Sequence, residues 1–185
     1  MIEVEQKFKI SGDGYKKLLD AAEFVKEVKN SDILYDDQNF SLLSKDIWLR
    51  QRNGEMELKI PKKDDKLKID IYEEIVGVGE ICQALNVQNL DNFLPLYNLV
   101  TVRQKYKLAD FNIDVDEVFS KINDFRYRLL EIELMVDSES DKEFATQKIA
   151  DLAKKYGLHE RANGKNIEYM SIYHPEILAK LKYVR

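Results

Sequence analysis

Glu3-Val4-Glu5-Gln6-Lys7 sets charged side chains on alternate residues. Side chains two apart on a β-strand share a face, so a strand here aims Glu3, Glu5 and Lys7 one way and Ile2 and Val4 the other. The same alternation returns along the chain. Arg50 and Arg52 flank Gln51, Glu57 and Lys59 flank Leu58, and Lys68 and Asp70 flank Ile69. Arg103, Lys105 and Lys107 follow, then Asp114 with Asp116, then Glu131 with Glu133. Leu49, Leu58, Ile69, Val102, Ile113, Val115 and Ile132 take the opposite parity. A sheet with one apolar face and one face charged in both signs is either solvated or wrapped around something ionic. That alternative decides fold and function together.

The 185 residues fit a single domain spanning 1–185, large enough to bury a core without staples. Apolar residues make up 44% and charged residues 34%, so an ordinary core content carries an unusual charge load. A net charge of −5 gives no global basic field, and neither nucleic acid nor an anionic membrane is an expected partner. The lone Cys82 excludes an intrachain disulfide framework and a cysteine-rich zinc site. The amino-terminal strand pattern starts without an apolar signal core, and no apolar run reaches membrane-spanning length. The expectation is a soluble, cytoplasmic, monomeric protein.

Strand patterns cover Ile2 to Ile10, Phe24 to Tyr35, Ile47 to Gln51, Glu55 to Ile60, Leu67 to Ile75, Leu99 to Leu108, Phe111 to Val118 and Tyr127 to Val136. Asn53-Gly54 is a strong two-residue hairpin signal, and Ala109-Asp110 predicts a second tight turn. Ser11-Gly12-Asp13-Gly14 can cap a helix carrying Leu18, Leu19 and Ala22. Short helices are expected over Gly79 to Leu85 and Leu90 to Phe93. Ser140 to Glu143 has capping-box spacing, ahead of a stripe of Ala145, Ile149, Leu152, Ala153 and Tyr156 that Gly157 should stop. A last helix is expected within Lys165 to Tyr183, broken near Pro175. Short hairpin-linked strands with a few helices mean an antiparallel α+β protein.

A charged strand face alone is the ordinary sign of a solvated sheet. Glu-x-Glu-x-Lys alone is weakly specific. The combination is more selective, because acid pairs and base pairs sit on separate strands. Carboxylates at i and i+2 repel unless a cation lies between them. Glu3/Glu5, Asp114/Asp116 and Glu131/Glu133 would make hard oxygen sites suited to Mg²⁺ or Mn²⁺. Arg50, Arg52 and Arg103 present forked donors that match phosphate oxygens. So many ions cannot be buried in a dry core, so an enclosed face of this kind must hold water or ligand.

In order and spacing these segments resemble the triphosphate tunnel metalloenzymes, the superfamily of class IV adenylyl cyclases and thiamine triphosphatases. The opening signature is Glu3, Glu5 and Lys7. The thiamine triphosphatase branch looks closest, through Tyr35-Asp36, Leu42-Leu43, Trp48-Leu49-Arg50-Gln51-Arg52 and Glu57-Leu58-Lys59. Val100-Thr101-Val102-Arg103, Tyr106-Lys107-Leu108, Asp114-Val115-Asp116, Glu131-Ile132-Glu133 and Gly164-Lys165 with Tyr169 extend the likeness over nearly the whole chain. Leu34 departs from it, standing where the branch commonly has an aromatic residue.

The resemblance implies an eight-stranded antiparallel β-barrel open as a tunnel, charges inward, with flanking helices outside. It implies Mg²⁺- or Mn²⁺-dependent removal of the terminal phosphate of a small triphosphate, with thiamine triphosphate the first choice. Lys7, Arg50, Arg52, Lys59, Arg103 and Lys165 would hold phosphates. Glu3, Glu5, Asp114, Glu131 and Glu133 would hold one or two metal ions, with Asp116 beside Asp114 or behind it. Glu5, Lys7 and Arg52 are the residues assigned to catalysis. Trp48 has the parity of Arg50, so it could stack on a cationic or pyrimidine ring, although a single tryptophan is more often core. Rival readings are a hydrolase of inorganic tripolyphosphate or nucleoside triphosphates, a cyclase, and a non-catalytic polyphosphate-binding module. Carboxylate pairs argue against the last, since an anion binder gains nothing from them without a metal.

Overall fold

The structure is a computed structural model that describes residues 2–61 and 72–181. Eight strands are seen: β1 (Ile2–Lys9), β2 (Glu23–Asp36), β3 (Trp48–Arg52), β4 (Glu55–Pro61), β5 (Tyr72–Val76), β6 (Leu94–Leu108), β7 (Phe111–Ser120) and β8 (Arg126–Val136). They form one sheet in the order β1-β8-β7-β6-β2-β3-β4-β5, every pairing antiparallel. The end strands β1 and β5 approach each other, so the sheet curls into the expected α+β tunnel fold. Lys68, Asp70 and the first part of the strand expected over Leu67 to Ile75 lie outside the described residues.

Turn chemistry fixes the registers. Asn53 and Gly54 both take positive φ, 51° and 97°, as a two-residue hairpin requires. Asn53 also accepts the Ser31 N–H through Oδ1 at 2.8 Å, which ties the β3–β4 turn to β2. Ala109 takes φ 51° in the β6–β7 turn.

Among the described residues the helices are α1 (Gly14–Asp20), α2 (Val78–Leu85), α3 (Lys142–Lys155), α4 (Lys165–Tyr173) and α5 (Pro175–Leu178). Leu18 of α1 and Ala145, Ile149 and Ala153 of α3 bury against Val4, Phe8, Ile113, Val115, Leu130 and Ile132. Those are the apolar outer positions of β1, β7 and β8, and each fully buried aliphatic contributes about 1.5–3 kcal/mol. Ile81 of α2 does the same over Leu49 and Leu58 of β3 and β4. None of the described helices is long and apolar enough to cross a membrane.

Three helix-level expectations need correction or completion. Leu90 to Phe93 is a turn, closed by Phe93 N–H on the Leu90 carbonyl at 3.0 Å. Four residues give one turn only, and Pro95 favours an extended Leu94 just beyond. The capping box at Ser140 does not form. A 3₁₀ turn over Glu139–Asp141 precedes α3, Asp141 makes no side-chain cap bond, and its carboxylate accepts from Ser138 at 2.6 Å instead. Asp13 likewise caps α1 without a side-chain bond. The expected stop at Gly157 is present: with φ 70° it lets Leu158 N–H reach the Ala153 carbonyl at 2.9 Å and its own N–H reach Lys154 at 3.1 Å. Pro175 does break the last helix, at the junction of α4 and α5.

Candidate active site

Strand parity turns the charged residues into the curl, where they line a cavity of about 580 Å³. β1 supplies Glu3, Glu5 and Lys7; β3 supplies Trp48, Arg50 and Arg52; β4 and β5 supply Lys59 and Glu74. β6 adds Arg103 and Lys105, and β8 adds Glu131 and Glu133. Lys165 enters from the first turn of α4.

The inner face is not charged throughout. Leu34, Leu99, Val118 and Leu129 keep the parity of Asp32, Thr101, Asp116 and Glu131, yet they pack with Tyr169, Met170, Ile177 and Leu181. The C-terminal helices α4 and α5 therefore bury an apolar end of the sheet's interior, and α4 brings Lys165 to the charged end. Leu34, the departure noted in the sequence, belongs to this apolar layer.

Carboxylates gather on one wall because register pairs Glu5 with Glu133, Lys7 with Glu131 and Asp114 with Glu131. Oxygens of Glu3, Glu5 and Glu133 lie within 4.8 Å of one another, as do those of Asp114, Glu131 and Glu133. Burial, then Glu3, Asp114, Glu131 and Glu5, push the Glu133 carboxyl up to about 9. Burial and Glu5 raise Glu3 as well. Asp114 Oδ2 accepts from Arg103 Nη1 at 2.7 Å, while its buried Oδ1 has no hydrogen-bond partner among the described residues. A buried acceptor without a donor, inside a cluster of mutually repelling carboxylates, is the environment a hard divalent cation relieves. The donor set fits Mg²⁺ or Mn²⁺, with Glu3, Glu5, Asp114, Glu131 and Glu133 as the residues that would hold it.

Most of the cations come from β3, β4, β6 and α4, each held by an acid. Arg52 forks onto Asp32 through Nε and Nη2 at 2.7 and 3.0 Å. Lys165 reaches the same Asp32 at 2.5 Å and Thr101 Oγ1 at 2.9 Å. Arg103 forks onto Asp116 at 2.6 and 2.7 Å and also meets Glu131 at 2.5 Å. Arg50 donates to Glu57 at 2.6 Å, and Lys59 pairs with Glu74 at 2.5 Å. Burial would raise Asp32, but the Arg52 hydrogen bonds and the Lys165 charge hold it well below the usual carboxylate range. Burial would raise Glu131 too, and Arg103, Lys7 and Lys165 bring it down to about 2. Burial lowers Lys165 below an ordinary lysine even though Asp32 opposes the shift.

Glu3, Glu5, Lys7, Trp48, Arg50, Arg52, Lys59, Arg103, Glu131, Glu133 and Lys165 thus surround one space, with Asp114 fully buried beside Arg103. Asp116 is fully buried and holds Arg103, which places it behind that guanidinium. Lys107 does not join them, because it bonds the Asp110 carbonyl and Asn112 at the exposed β6–β7 turn. Trp48 combines both of its readings, being 7% exposed, packed in the apolar cluster and lining the cavity. Sequence reasoning missed Asp32 and Thr101, which fix Lys165, and Asp46 and Tyr72, which line the cavity near Trp48. Asp32 is a lone acid in an otherwise uncharged run, Asn30 to Tyr35, and that isolation was the available signal.

The CYTH domain profile matches residues 1–163. Thiamine-triphosphatase of Macaca fascicularis is 29% identical over 98% of this chain and 89% of its own length, and the Homo sapiens protein is 28% identical over the same shares. A Pyrococcus horikoshii protein superposes with a TM-score of 0.69 at 24% identity, covering 93% of this chain and 99% of that one. A Hippeastrum protein proposed as an adenylyl cyclase, described as having a dominant triphosphatase activity, gives 0.62 at 18% identity over 93% and 95%. With the profile spanning most of its length, over strands that build a doubly charged cavity, this chain belongs to the CYTH domain family.

Proposed function

We propose that this protein is a divalent-metal-dependent triphosphatase that removes the terminal phosphate of thiamine triphosphate. The observation that carries the reading is the division of one cavity into a wall of crowded carboxylates and a wall of acid-aimed cations. A phosphate chain alone would need only the second wall, and a metal alone only the first. The two together match a polyanion bound with a divalent ion. Two near-full-length relatives named thiamine-triphosphatase support the organic part of the substrate.

Phosphoryl transfer asks a protein for positioning and for charge stabilisation more than for covalent chemistry. Arg52, forked onto the buried Asp32 through Nε and Nη2, keeps Nη1 for a phosphate oxygen without reorganising. Arg103 already meets Asp116, Asp114 and Glu131, so it would turn toward phosphate by exchanging one of these carboxylates. Lys7, Arg50, Lys59 and Lys165 supply the remaining positive charge along the chain of phosphates. Glu3, Glu5, Asp114, Glu131 and Glu133 would hold a divalent ion, which when bound would supply Lewis-acid neutralisation of phosphate charge and acidify a water. Lys7 Nζ donates to Glu5 at 2.5 Å, so this pair could hold or pass a proton at Lys7 Nζ. No serine or histidine is needed. His174 stacks near Tyr97 with ring centroids 5.9 Å apart, and Ser44 Oγ bonds the Ser41 carbonyl.

The test is phosphate release from thiamine triphosphate, inorganic tripolyphosphate and ATP under identical Mg²⁺. The proposal predicts the highest kcat/KM for thiamine triphosphate. A clear preference for tripolyphosphate or ATP would reassign the substrate.

A further inference from the structure

Asp46 carries a backbone conformation that few side chains accept, and its carboxylate joins two aromatic residues at one end of the cavity. A 3₁₀ turn over Leu43–Lys45 ends on Asp46, which sits at φ 63°, ψ 26° with its N–H on the Leu43 carbonyl at 2.9 Å. Asp and Asn tolerate this left-handed region better than most residues. The turn is itself anchored. Fully buried Asp36 accepts the Leu42 and Leu43 N–H groups at 3.1 and 2.8 Å. From this fixed point Asp46 Oδ1 accepts Trp48 Nε1 at 2.8 Å and the Tyr72 hydroxyl at 3.0 Å, with Oδ2 3.2 Å from the same hydroxyl. Trp48 opens β3 and Tyr72 opens β5, strands that are not neighbours in the sheet. All three side chains line the cavity.

Resting on the triphosphatase reading above, we propose that Asp46 is a positioning residue that sets substrate specificity. By holding the Trp48 and Tyr72 rings across β4, it makes an aromatic seat, next to a carboxylate, for a cationic heteroaromatic ring attached to the phosphate chain. Aromatic faces favour an organic cation over a neutral ring. Bare tripolyphosphate has nothing to place there.

Two variants separate positioning from charge and from folding. Asp46→Asn keeps an acceptor oxygen and tolerates the left-handed backbone, whereas Asp46→Gly keeps the backbone and removes the acceptor. KM for thiamine triphosphate should rise about tenfold in Asp46→Gly and less than threefold in Asp46→Asn, with kcat little changed. KM for tripolyphosphate should move far less in either. Because the chain has one tryptophan, its selectively excited fluorescence reports this site in the unliganded protein. Anisotropy should fall, and quenching by added thiamine diphosphate with Mg²⁺ should weaken, in Asp46→Gly but not in Asp46→Asn. Wild-type anisotropy and quenching in Asp46→Gly would overturn the inference. So would equal losses in both variants, or equal losses on both substrates. Should the wild type ignore thiamine triphosphate, the proposed substrate falls, while the fluorescence comparison still decides the role of Asp46.

Discussion

Arg103 and Asp116 stand opposite each other on β6 and β7 and form a two-point contact, Nε to Oδ1 at 2.6 Å and Nη2 to Oδ2 at 2.7 Å. Asp116 is fully buried and takes no place on the cavity wall, so its effect on the site passes through Arg103. Arg103 then extends to Asp114 and Glu131, which joins the cationic wall to the carboxylate wall.

Asp116→Asn removes one oxygen acceptor and the charge behind Arg103. Leaving a buried ion partly compensated is costly, though Asp114 and Glu131 remain. The expected losses are ~1–3 kcal/mol in stability and about tenfold in kcat/KM. Denaturant unfolding and steady-state kinetics check both. Unchanged kinetics would mean that the orientation of Arg103 does not matter to turnover.

Arg52→Lys keeps a positive charge and loses the fork onto Asp32. It should lower kcat/KM by about tenfold or more, equivalent to at least ~1.4 kcal/mol of transition-state stabilisation. Wild-type kinetics would remove Arg52 from the phosphate clamp.

Glu133 links metal to pH. Its carboxyl is raised to about 9 by burial and by its acidic neighbours. The folded, metal-free protein therefore holds a proton that the unfolded chain releases, and this residue lowers stability progressively as pH rises from about 4.5 toward 9. Glu133→Gln should flatten that decline and raise the metal-free Tm at pH 8 by about 2–4 °C, or ~1 kcal/mol for a domain of this size. Added Mg²⁺ should stabilise the wild type and leave the variant nearly unmoved. A thermal-unfolding series in pH and Mg²⁺ measures this, and a variant less stable than wild type in EDTA at pH 8 would contradict it.

Trp48 needs a variant that respects its packing, because truncation to alanine would also empty a core position. Trp48→Leu keeps part of the apolar volume and loses the π face together with the Nε1–H that Asp46 accepts. Use of thiamine triphosphate should fall about thirtyfold, the ~2 kcal/mol of a desolvated cation–π contact, with a much smaller change on tripolyphosphate. Equal losses on both would reduce Trp48 to a structural role.

Much of this was legible because strand parity is a strict period. Once Glu3, Glu5 and Lys7 are put on one face, Val4 and Phe8 must go outward under α1 and α3. Hairpin signals such as Asn53-Gly54 then fix which charges meet across strands. Period alone does not show where an inward face changes character, so the apolar layer of Leu34, Leu99, Val118 and Leu129 under α4 and α5 could not be read. The same limit hid the partners of each cation. Asp32 meets Lys165 across 133 residues of sequence, a distance over which no local pattern speaks. Asp46 depends on a left-handed backbone set by a 3₁₀ turn, and the capping box failed for a similar local reason at Glu139–Asp141.

The most direct test of the central claim is phosphate release from thiamine triphosphate by the wild-type protein, in Mg²⁺ and again with EDTA in excess. A cavity that combines crowded carboxylates with acid-held cations predicts turnover with Mg²⁺, its loss in EDTA, and recovery when Mg²⁺ or Mn²⁺ is restored. Hydrolysis that persists undiminished in EDTA, or none with Mg²⁺, would contradict the account.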